Sequence, residues 1–571
     1  MKTKFIKNEL ALSKLAELNE ARLDSNYAVN SEVVQKTLQA HAGDRLIQSY
    51  QKDSVLVERG ALSIDKAGYT YAKVPLGIIL KGTVIVIKEN KATKLLVPGD
   101  FVGLFETSDW LQHSKSRHIG DWTLVANSEV EILFLSEEIV KDPCFKEFLT
   151  SLSRNDPVPQ PLTDMPLLDW VAFHTTHTSF SDYAIIAHTH LLPSNMPLFR
   201  HLAHLVGPQR MFVMEKPYST TPSVVNDLIQ SGCEVIPVKV ESGTPYAFAV
   251  QKSIQVLWDS VIEEYQRGLF SKLLILDDGG DVWLSIPFER LQGVSISGVE
   301  QTQRGTTRIE SSIQTVPAII SVASSGVKKL VESDFIGRSV VLKLKEAGHI
   351  VEGTKIGVIG SGSIGNSVIE TAVELGYETY VYDPIKRAAV SGSFAAASLD
   401  SLLNLSDLII GTTGTNALRG VAINRVSGKK KLASASSADI EFSSLLRIAP
   451  IVADPFGTIT IKVRDDLEFK ILNGGFPFNF DRLGNAAHEE DIVLTRALLY
   501  AGMMQARDIV DGHASGGLYD LDIDTQGYLL EAWLSEKESA GMKVKEEFKD
   551  VESVINATFL VDAKKTSSVW K

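Results

Sequence analysis

The stretch Lys355-Ile-Gly-Val-Ile-Gly-Ser-Gly-Ser-Ile-Gly365 decides the fold of the second half of this chain. A short apolar run leads into Gly360-x-Gly362-x-x-Gly365, and the helix-like pattern Ser367-Val-Ile-Glu-Thr-Ala-Val-Glu-Leu375 follows. In a strand-turn-helix unit of this kind, the first glycine allows a tight turn, the second lets the backbone approach a pyrophosphate, and the third lets helix and strand pack closely. The N-terminus of the helix then faces the phosphates with its positive dipole end.

A carboxylate follows at the expected distance. The apolar run Thr379-Tyr-Val-Tyr382 ends at Asp383, about 20 residues after Gly362, where a dinucleotide fold places the acid that binds the adenosine ribose hydroxyls. The alternative is a glycine-rich turn in an unrelated α/β unit. An acid rather than an arginine at this place favours NAD over NADP, so the sequence predicts NAD as the cofactor.

The composition is that of a globular protein. The chain has 571 residues, which is too long for one core, and 44% of them are hydrophobic. The net charge of −13 argues against binding to nucleic acid or to an anionic membrane surface, so we expect a small-molecule substrate or ligand. No apolar run approaches membrane-spanning length, the first ten residues lack an apolar signal region, and the two cysteines give no disulfide framework. A cytoplasmic protein is expected.

The sequence pattern changes along the chain. Residues 1 to about 50 read as polar helical segments, whereas from about 55 to 137 short β-rich runs alternate with turns, which is typical of an antiparallel β-barrel or jelly roll. Residues 154–163 hold three prolines and read as a linker. Beyond the linker, short apolar runs separated by helical patterns predict parallel, doubly wound sheets. The predicted strands begin at Tyr183, Met211, Glu234 and Lys272.

The β-rich region resembles the cyclic-nucleotide-binding domains. The resemblance is carried by Ile79-Leu-Lys-Gly-Thr-Val84, Pro98-Gly-Asp-Phe-Val-Gly103 and Trp122-Thr-Leu-Val-Ala126. That family holds its ligand with an acid and an arginine, for which Glu106 and Arg117 are the plausible equivalents, both off the usual spacing. The alternative is a barrel that serves for docking or oligomerisation.

From about Asp164 the chain resembles the S-adenosylhomocysteine hydrolases. The matching segments occur in the family's order: Asn195-Met-Pro197, Leu276-Asp-Asp-Gly-Gly-Asp281, Gly298-Val-Glu-Gln-Thr-Gln-Arg-Gly305, Tyr382-Asp-Pro384, Gly411-Thr-Thr-Gly414 and Asn473-Gly-Gly475. The resemblance implies a substrate domain split around an inserted Rossmann domain for NAD, hinges near Gly337 and Asn473, and a homo-oligomer.

The two resemblances together predict a multidomain chain. The predicted parts are a cyclic-nucleotide-binding-like domain (1–153), the linker (154–163), a substrate-like domain in two parts (164–336 and 473–535), the Rossmann NAD-binding domain (337–472) and a C-terminal tail (536–571).

The family's chemistry implies roles for individual residues here. Bound NAD oxidises a substrate hydroxyl in that family, which requires acids and bases beside the cofactor. The aligned catalytic candidates are Asp278, Lys328, Lys216, Gln301 and Glu332. Glu300 is adjacent to Gln301, so the register is open there. The cofactor-binding candidates are Gly360, Gly362, Ser363, Ile364, Gly365, Asp383, Thr412, Thr413, Gly414 and Asn473.

Several positions depart from the family pattern. The three histidines of the family fall on Lys216, Ser437 and Phe480, so none of them is retained in the alignment. Loss of one positioned acid or base typically lowers a rate by about 10²–10⁴. Efficient hydrolysis of S-adenosylhomocysteine is therefore not expected, whereas the NAD motif is intact.

A cluster of histidines has three interpretations. It consists of His174, His177, His188, His190, His201 and His204. The cluster could bind a metal, but no cysteine or carboxylate is spaced to complete a ligand shell, and no metal site is predicted. It could instead replace the lost histidines in a polar pocket wall, or consist of ordinary histidines.

Two functional hypotheses follow. The first is a diverged NAD-dependent enzyme that oxidises a hydroxyl of a nucleoside-like or small polar substrate, with Asp278 and Lys328 as proton-transfer candidates. The second is a non-catalytic regulator that binds NAD and uses the front barrel to bind a ligand or a partner.

Overall fold

The structure is a computed structural model. It describes residues 180–558 except 384, 386–389, 481, 483, 513–514 and 540, together with parts of the preceding chain. Those parts are 2–6, 45–57, 63–64, 70–71, 77–88, 91–96, 98, 101–102, 122–135, 163 and 165–175. The chain divides into two compact units, Met1–Thr178 and Ser179–Lys571.

Antiparallel sheets form the described part of the first unit. One sheet has the strand order β1-β2-β11-β6-β9 and a second has the order β3-β10-β7-β8, with a separate β4-β5 pair. The strands are β1 (Lys2–Ile6), β2 (Arg45–Tyr50), β3 (Val55–Val57), β4 (Ser63–Ile64), β5 (Thr70–Tyr71), β6 (Gly77–Lys81), β7 (Val84–Lys88), β8 (Lys91–Leu96), β9 (Phe101–Val102), β10 (Trp122–Ala126) and β11 (Val130–Phe134). Helix α1 spans Pro166–Thr175.

The sequence-based expectation for the first 50 residues was wrong where the structure describes them. Lys2–Ile6 and Arg45–Tyr50 are strands rather than helical segments. β2 pairs with both β1 and β11, and these partners are distant in the sequence. Local polarity carries no signal for such pairing, because a strand acquires its stability from its neighbours. Glu106, Arg117 and nearly all of the linker lie outside the described residues, and the barrel or jelly roll stays a prediction.

The second unit contains two seven-stranded sheets. The first sheet is parallel throughout, in the order β14-β13-β12-β15-β16-β17-β25. Its strands are β12 (Tyr183–His188), β13 (Met211–Met214), β14 (Glu234–Ile236), β15 (Lys272–Asp277), β16 (Ser295–Glu300), β17 (Ala318–Ser321) and β25 (Gly517–Asp520). The helices are α2 (Met196–Val206), α3 (Pro222–Ser231), α4 (Tyr246–Gln266) and α5 (Gln303–Glu310).

The second sheet has the order β20-β19-β18-β21-β22-β24-β23, and only the β23-β24 pair is antiparallel. Its strands are β18 (Ile356–Ile359), β19 (Thr379–Tyr382), β20 (Phe394–Ala395), β21 (Leu408–Gly411), β22 (Gly428–Ser434), β23 (Ile459–Arg464) and β24 (Leu467–Ile471). Helices α6 (Ser333–Glu346), α7 (Ser363–Glu374), α8 (Leu399–Leu405) and α9 (Ser443–Leu446) accompany it. The prediction of Rossmann-like parallel sheets is confirmed.

The apolar runs form strands because both faces of each sheet are covered. Every residue of β12, β13 and β17 is buried, and so is every residue of β18 and β21. Continuous burial of this kind is typical of parallel strands that lie between layers of helices.

No helix among the described residues combines the length and apolar character needed to cross a bilayer.

The chain leaves the first sheet after β17, builds the second sheet and then returns. On its return it forms α10 (Glu489–Gly512), β25, α11 (Ile523–Ser539) and α12 (Val551–Asn556). β25 pairs with β17, and α10 packs against β16 and β17. The hinge candidate Gly337 lies within α6, where an added Cβ would overlap Ser367 of α7, so the two helices pack closely at this point.

Gly298 offers a test of this packing. It pairs with Ile275 in the middle of the first sheet at a φ of +154°, and a Cβ atom there would overlap the carbonyl oxygen of Ile275. We expect Gly298→Ala to cost about 3 kcal/mol, because backbone rather than a flexible side chain would have to move. The midpoint of thermal unfolding should fall by about 6–12 °C. Gly527→Ala on α11, where a Cβ meets only ordinary contacts at 3.8 Å, is the control and should leave the midpoint unchanged or slightly raised. An unchanged midpoint in Gly298→Ala would refute the packing.

Candidate functional site

Three neighbouring strands of the first sheet end in ionisable residues. His188, Asp277 and Glu300 lie side by side in the register of β12, β15 and β16, and all three are fully buried. Parallel α/β sheets build their sites at this carboxyl edge. His188 Nδ1 lies 2.8 Å from Asp277 Oδ1, and the other oxygen of Asp277 accepts bonds from the backbone of Val282 and Trp283 at 2.9 and 3.2 Å. These three buried residues therefore support the site structurally and are not its reactive groups.

Glu300 supports the turn that follows β15. Its carboxylate accepts bonds from the backbone N–H groups of Gly279 (3.1 Å) and Gly280 (3.0 Å), and from the N–H and hydroxyl of Thr302 at 2.7 Å. Burial raises its pKa well above the ordinary glutamate value, and the charge of Asp277 adds to this effect. Glu300 therefore positions Asp278 through the following turn. Its neighbour Gln301 is the residue whose side chain contacts the Asp278 carboxylate.

Asp278 is the centre of a buried charge network. One of its carboxylate oxygens lies 2.5 Å from Lys216 Nζ, and the other lies 3.1 Å from His190 Nε2 and accepts a bond from Gln301 Nε2. The Gln301 amide also donates to Thr189 Oγ1 at 3.0 Å. Of the catalytic candidates predicted from the sequence, Lys216 and Gln301 thus contact the Asp278 carboxylate. Lys328 and Glu332 do not take part in this network.

The network fixes the charge of its members. Burial would raise the pKa of Asp278, but Lys216 and His190 outweigh it and hold that pKa well below the ordinary value. Burial would likewise lower the pKa of Lys216, yet the Asp278 carboxylate raises it above the ordinary lysine value. Burial lowers the pKa of His190 despite Asp278. At neutral pH the site therefore contains an aspartate anion, a lysine cation and a neutral imidazole.

Lys328 and Glu332 form a second charge pair in the wall of the site. They belong to a five-residue π-helical segment, Lys328–Glu332, that precedes α6. Lys328 Nζ lies 2.6 Å from both carboxylate oxygens of Glu332, one of which also accepts from Thr495 Oγ1 of α10 at 2.8 Å. The wider π-helical turn is often found at functional sites.

The glycine motif has the geometry that a dinucleotide requires. Gly360 has a φ of +104°, and a Cβ at Gly365 would overlap the carbonyl oxygen of Gly360, so both positions need glycine. A Cβ at Gly362 would meet no atom within 4 Å and would instead point into open space at the start of α7. Asp383 accepts bonds from the N–H of Ser361 at 2.7 Å and from its hydroxyl at 2.9 Å, which places a carboxylate beside this turn. These residues fit a bound NAD.

Glu441 supports the neighbouring Thr413–Gly414 loop. Its carboxylate accepts bonds from Thr413 Oγ1 at 2.9 Å, from the N–H of Gly414 at 2.6 Å and from Ser436 Oγ at 2.5 Å. Burial raises its pKa above the ordinary glutamate value. Thr412 instead bonds to the carbonyls of Ile359 and Gly360 at 3.1 Å, so it ties this loop to the glycine turn.

One cavity of about 830 Å³ is lined both by residues of the cofactor motif and by residues around Asp278. This volume lies within the range of about 300–1,000 Å³ that is common for small-molecule sites. The cofactor candidates in its wall are Gly362, Ser363, Ile364, Thr412, Thr413 and Gly414, and the catalytic candidates are Asp278, Gln301, Lys328 and Glu332. Lys216 lies behind Asp278, outside the wall, and Gly360, Gly365, Asp383 and Asn473 shape the site without lining the cavity.

Asn479 lines the cavity, whereas the cofactor candidate Asn473 does not. Asn473 donates to the carbonyls of Pro477 and Phe480 at 3.0 and 3.1 Å and so shapes the loop that carries Asn479. Asn479 lines the cavity, and both polar atoms of its buried amide have no hydrogen-bond partner among the described residues. Such an amide is suited to bind a polar group of a ligand.

Histidine is present in the cavity although the alignment contained none. His190 lines the wall, stacks on Phe480 at a centroid distance of 4.2 Å and contacts Ser219 Oγ at 2.6 Å. It therefore supports the pocket-wall interpretation for one member of the cluster. His201, by contrast, packs against Tyr500, and His177 lies outside the described residues. No group of three His, Cys, Asp or Glu side chains in the described part of the chain is arranged to hold a metal ion.

Gly362 provides a test of the cofactor site. Gly362→Ala and Gly362→Val would place one and then three carbon atoms in the space in front of α7. We expect NAD affinity to fall at least tenfold for valine, since about 1.4 kcal/mol of lost contact suffices. The thermal midpoint without NAD should stay constant, because no protein atom lies within 4 Å of the new Cβ. Titration with NAD measures the effect, with Gly527→Ala as the control. Unchanged affinity in Gly362→Val would contradict the site.

Lys216 provides a test of the charge network. Lys216→Met leaves the Asp278 carboxylate buried without its closest cation, which typically costs about 3–5 kcal/mol. We expect a fall of about 2–4 °C in the thermal midpoint for each kcal/mol. The double variant Lys216→Met/Asp278→Asn removes the unpaired charge and should recover at least half of the loss. Lys239→Met, at a lysine that is 88% exposed, is the control. Additive losses in the double variant would show that the two residues are not coupled.

Comparison with known proteins bears on the cofactor half. Residues 327–425 match the NAD-binding domain of the D-isomer specific 2-hydroxyacid dehydrogenases. An uncharacterised protein of Mycobacterium tuberculosis (strain H37Rv) is 27% identical over 389 residues, which cover 66% of this chain and 74% of the relative, and its counterpart in strain CDC 1551 / Oshkosh matches equally.

Two solved structures also align with parts of the chain. D-2-hydroxyisocaproate dehydrogenase aligns with 46% of this chain and 74% of its own length, at 15% identity and a TM-score of 0.21. The Sp-2Cl-cAMPS-bound PKAR CBD2 aligns with 26% of this chain and 84% of its own length, at 18% identity and a TM-score of 0.19. The family match and the glycine geometry together confirm NAD as the cofactor and give this half of the chain an oxidoreductase-like character.

Proposed function

We propose that the protein is an NAD-dependent enzyme that oxidises a hydroxyl group of a nucleoside-like or other small polar substrate. The observation that carries this proposal is the shared cavity, whose lining includes residues of the dinucleotide motif together with Asp278, Gln301 and the Lys328–Glu332 pair. NAD, when bound, supplies a hydride acceptor. The substrate hydroxyl must lose a proton at the same time, so the chain has to supply an acceptor for it.

The two charge pairs suit different parts of that task. Asp278 stays ionised because of Lys216 and His190, so it accepts a hydrogen bond from a substrate hydroxyl and orients it, but it is a weak base. The Lys328–Glu332 pair takes the hydroxyl proton as a relay: the proton moves to Lys328 Nζ as a Lys328 proton moves to Glu332, 2.6 Å away. Thr495 then stabilises the Glu332 carboxyl group.

S-adenosylhomocysteine hydrolysis is the narrower version of this proposal. It would use the same oxidation and add an elimination and a hydration of the substrate. His190 supplies one imidazole for those steps, whereas Ser437 and Phe480 occupy cavity positions that the resemblance assigns to histidines. We therefore rank oxidation of another hydroxyl compound above it, and a thiol-release assay separates the two.

The pairing of the charged groups also favours a second candidate. Asp278 is bonded to Lys216, and Lys328 is bonded to Glu332, so each candidate base is occupied by a partner. A cavity of this kind could hold NAD without reducing it. The second candidate is therefore an NAD-binding regulator that responds to the cofactor or its redox state.

Reduction of bound NAD separates the two candidates. We expect purified protein to release NAD(H) on denaturation, and a panel of nucleosides and small hydroxy compounds to include one that reduces the bound NAD. Lys328→Ala should slow this reduction by about 10²–10⁴, because a positioned base is lost, while NAD affinity changes less than threefold.

Glu332→Gln should slow the reduction as well, because the amide cannot take the proton from Lys328. Lys343→Ala, on α6 and outside the cavity wall, is the matched control and should react at the rate of the unaltered protein. Bound NAD that no hydroxy compound reduces would favour the regulator, and protein without NAD(H) that binds none on titration would rule out both.

A further inference from the structure

The cavity contains an arginine whose charge is not balanced. Arg496 is on α10, is only 5% exposed and lines the cavity. Its Nε contacts the carbonyl oxygen of Ser194 at 3.4 Å. Glu332 and Asp278 act on it through space, yet no carboxylate of the described residues lies within ion-pairing distance of it. Burial lowers the pKa of Arg496 to about 10, so it remains a cation at neutral pH.

Arg304 is a second guanidinium in the same wall. It lies on α5, is half-buried and approaches Gly279, the residue after Asp278. The carboxylates of Asp281 and Asp439 are near enough to influence it or be influenced by it, but neither forms an ion pair with it within the described chain. Two arginines therefore line the cavity without an ion-paired carboxylate among the described residues.

The other charged groups in the wall compensate one another. Asp278 is matched by Lys216, Lys328 is matched by Glu332, and Arg308 lies 2.6 Å from Asp281. Lys329, also in the wall, interacts with the charge of Asp520. The cavity wall therefore carries surplus positive charge, which is located at Arg496 and Arg304. A buried cation without a counter-ion is unfavourable, so a ligand that brings an anion would be favoured.

The surplus lies on the substrate side of the cavity. Arg496 acts on His190 and Asp278, whereas the pyrophosphate of a dinucleotide belongs at the N-terminus of α7 beside Gly362 and Ser363. A guanidinium presents paired donors that match the two oxygens of a carboxylate or a phosphate. An uncharged hydroxy compound would leave this donor set unused.

We propose that the substrate carries an oxyanion, a carboxylate or a phosphate, which Arg496 binds with the help of Arg304 in the same cavity wall. This inference rests on the proposed function, since it assumes that the reacting hydroxyl lies next to Asp278 in the NAD-loaded cavity. Arg496 is then a specificity residue: it holds the charged end of the substrate while Asp278 orients the hydroxyl.

Binding of matched pairs of probes tests the proposal on the full chain loaded with NAD. The phosphate arm compares adenosine 5'-monophosphate with adenosine and includes inorganic phosphate alone. The carboxylate arm compares glycerate with glycerol. We expect the charged member of at least one pair to bind at least tenfold more tightly. Whichever arm shows the preference identifies the source of the oxyanion.

Variants assign the preference to a residue. Arg496→Gln should reduce the affinity for the charged probe about tenfold or more and leave the neutral probe unchanged, and Arg496→Lys should recover part of the loss. Arg304→Gln should give a smaller loss in the same direction, and it also serves if Arg496→Gln does not fold. Arg290→Gln, at an exposed arginine paired with Asp259, is the control and should bind like the unaltered protein.

Each remaining outcome decides the matter. Equal affinity for charged and neutral probes in NAD-loaded protein would overturn the proposal. Loss of NAD, rather than of the charged probe, in Arg496→Gln would also overturn it, because the arginine would then serve the cofactor. Protein that holds no NAD but still prefers charged probes through Arg496 would retain the oxyanion site while the proposed function fails.

Discussion

The contact between Lys216 and Asp278 is the interaction on which the site depends. It places a cation and an anion 2.5 Å apart with almost no access to water. Either charge alone would be strongly unfavourable there, so each residue requires the other. The pair fixes the ionisation of Asp278, which in turn orients His190 and Gln301. The row beneath it, His188, Asp277 and Glu300, holds the turn that makes the contact possible.

Paired charges give the cavity a particular character. Where acids and bases satisfy one another, they are stable but weakly reactive, and chemistry requires that a partner be exchanged. The Lys328–Glu332 pair is suited to such an exchange because it lies on a π-helical segment and in the cavity wall. The Asp278 network is less suited because Lys216 is sealed behind it. The site therefore combines a rigid orienting carboxylate with a more accessible proton acceptor.

The sequence predicted the cofactor half well, because its geometry is local. Gly360 and Gly365 meet backbone requirements, Gly362 leaves open space in front of α7, and all three can be inferred from a short segment. The substrate half was less predictable, since its contacts are formed by residues far apart in the chain. Asp278 was found from its Asp-Asp-Gly-Gly turn, but the presence of His190 in the wall depends on where β12 lies relative to β15. Arg496 follows from no local pattern beyond being a lone arginine in an apolar stretch of α10, and Glu441 and Asn479 gave no signal.

The same limit explains the first 50 residues, where strands β1 and β2 form through partners that no local pattern reveals.

The late return of the chain to its first sheet has a consequence for synthesis. β17 and the apolar surface beneath α10 are made long before β25 and α10 emerge from the ribosome. Until then a nascent chain carries an open sheet edge beside uncovered apolar residues, a combination prone to association. Cells that make this protein are expected to protect that intermediate with chaperones, and slower translation before residue 489 would lengthen its exposure.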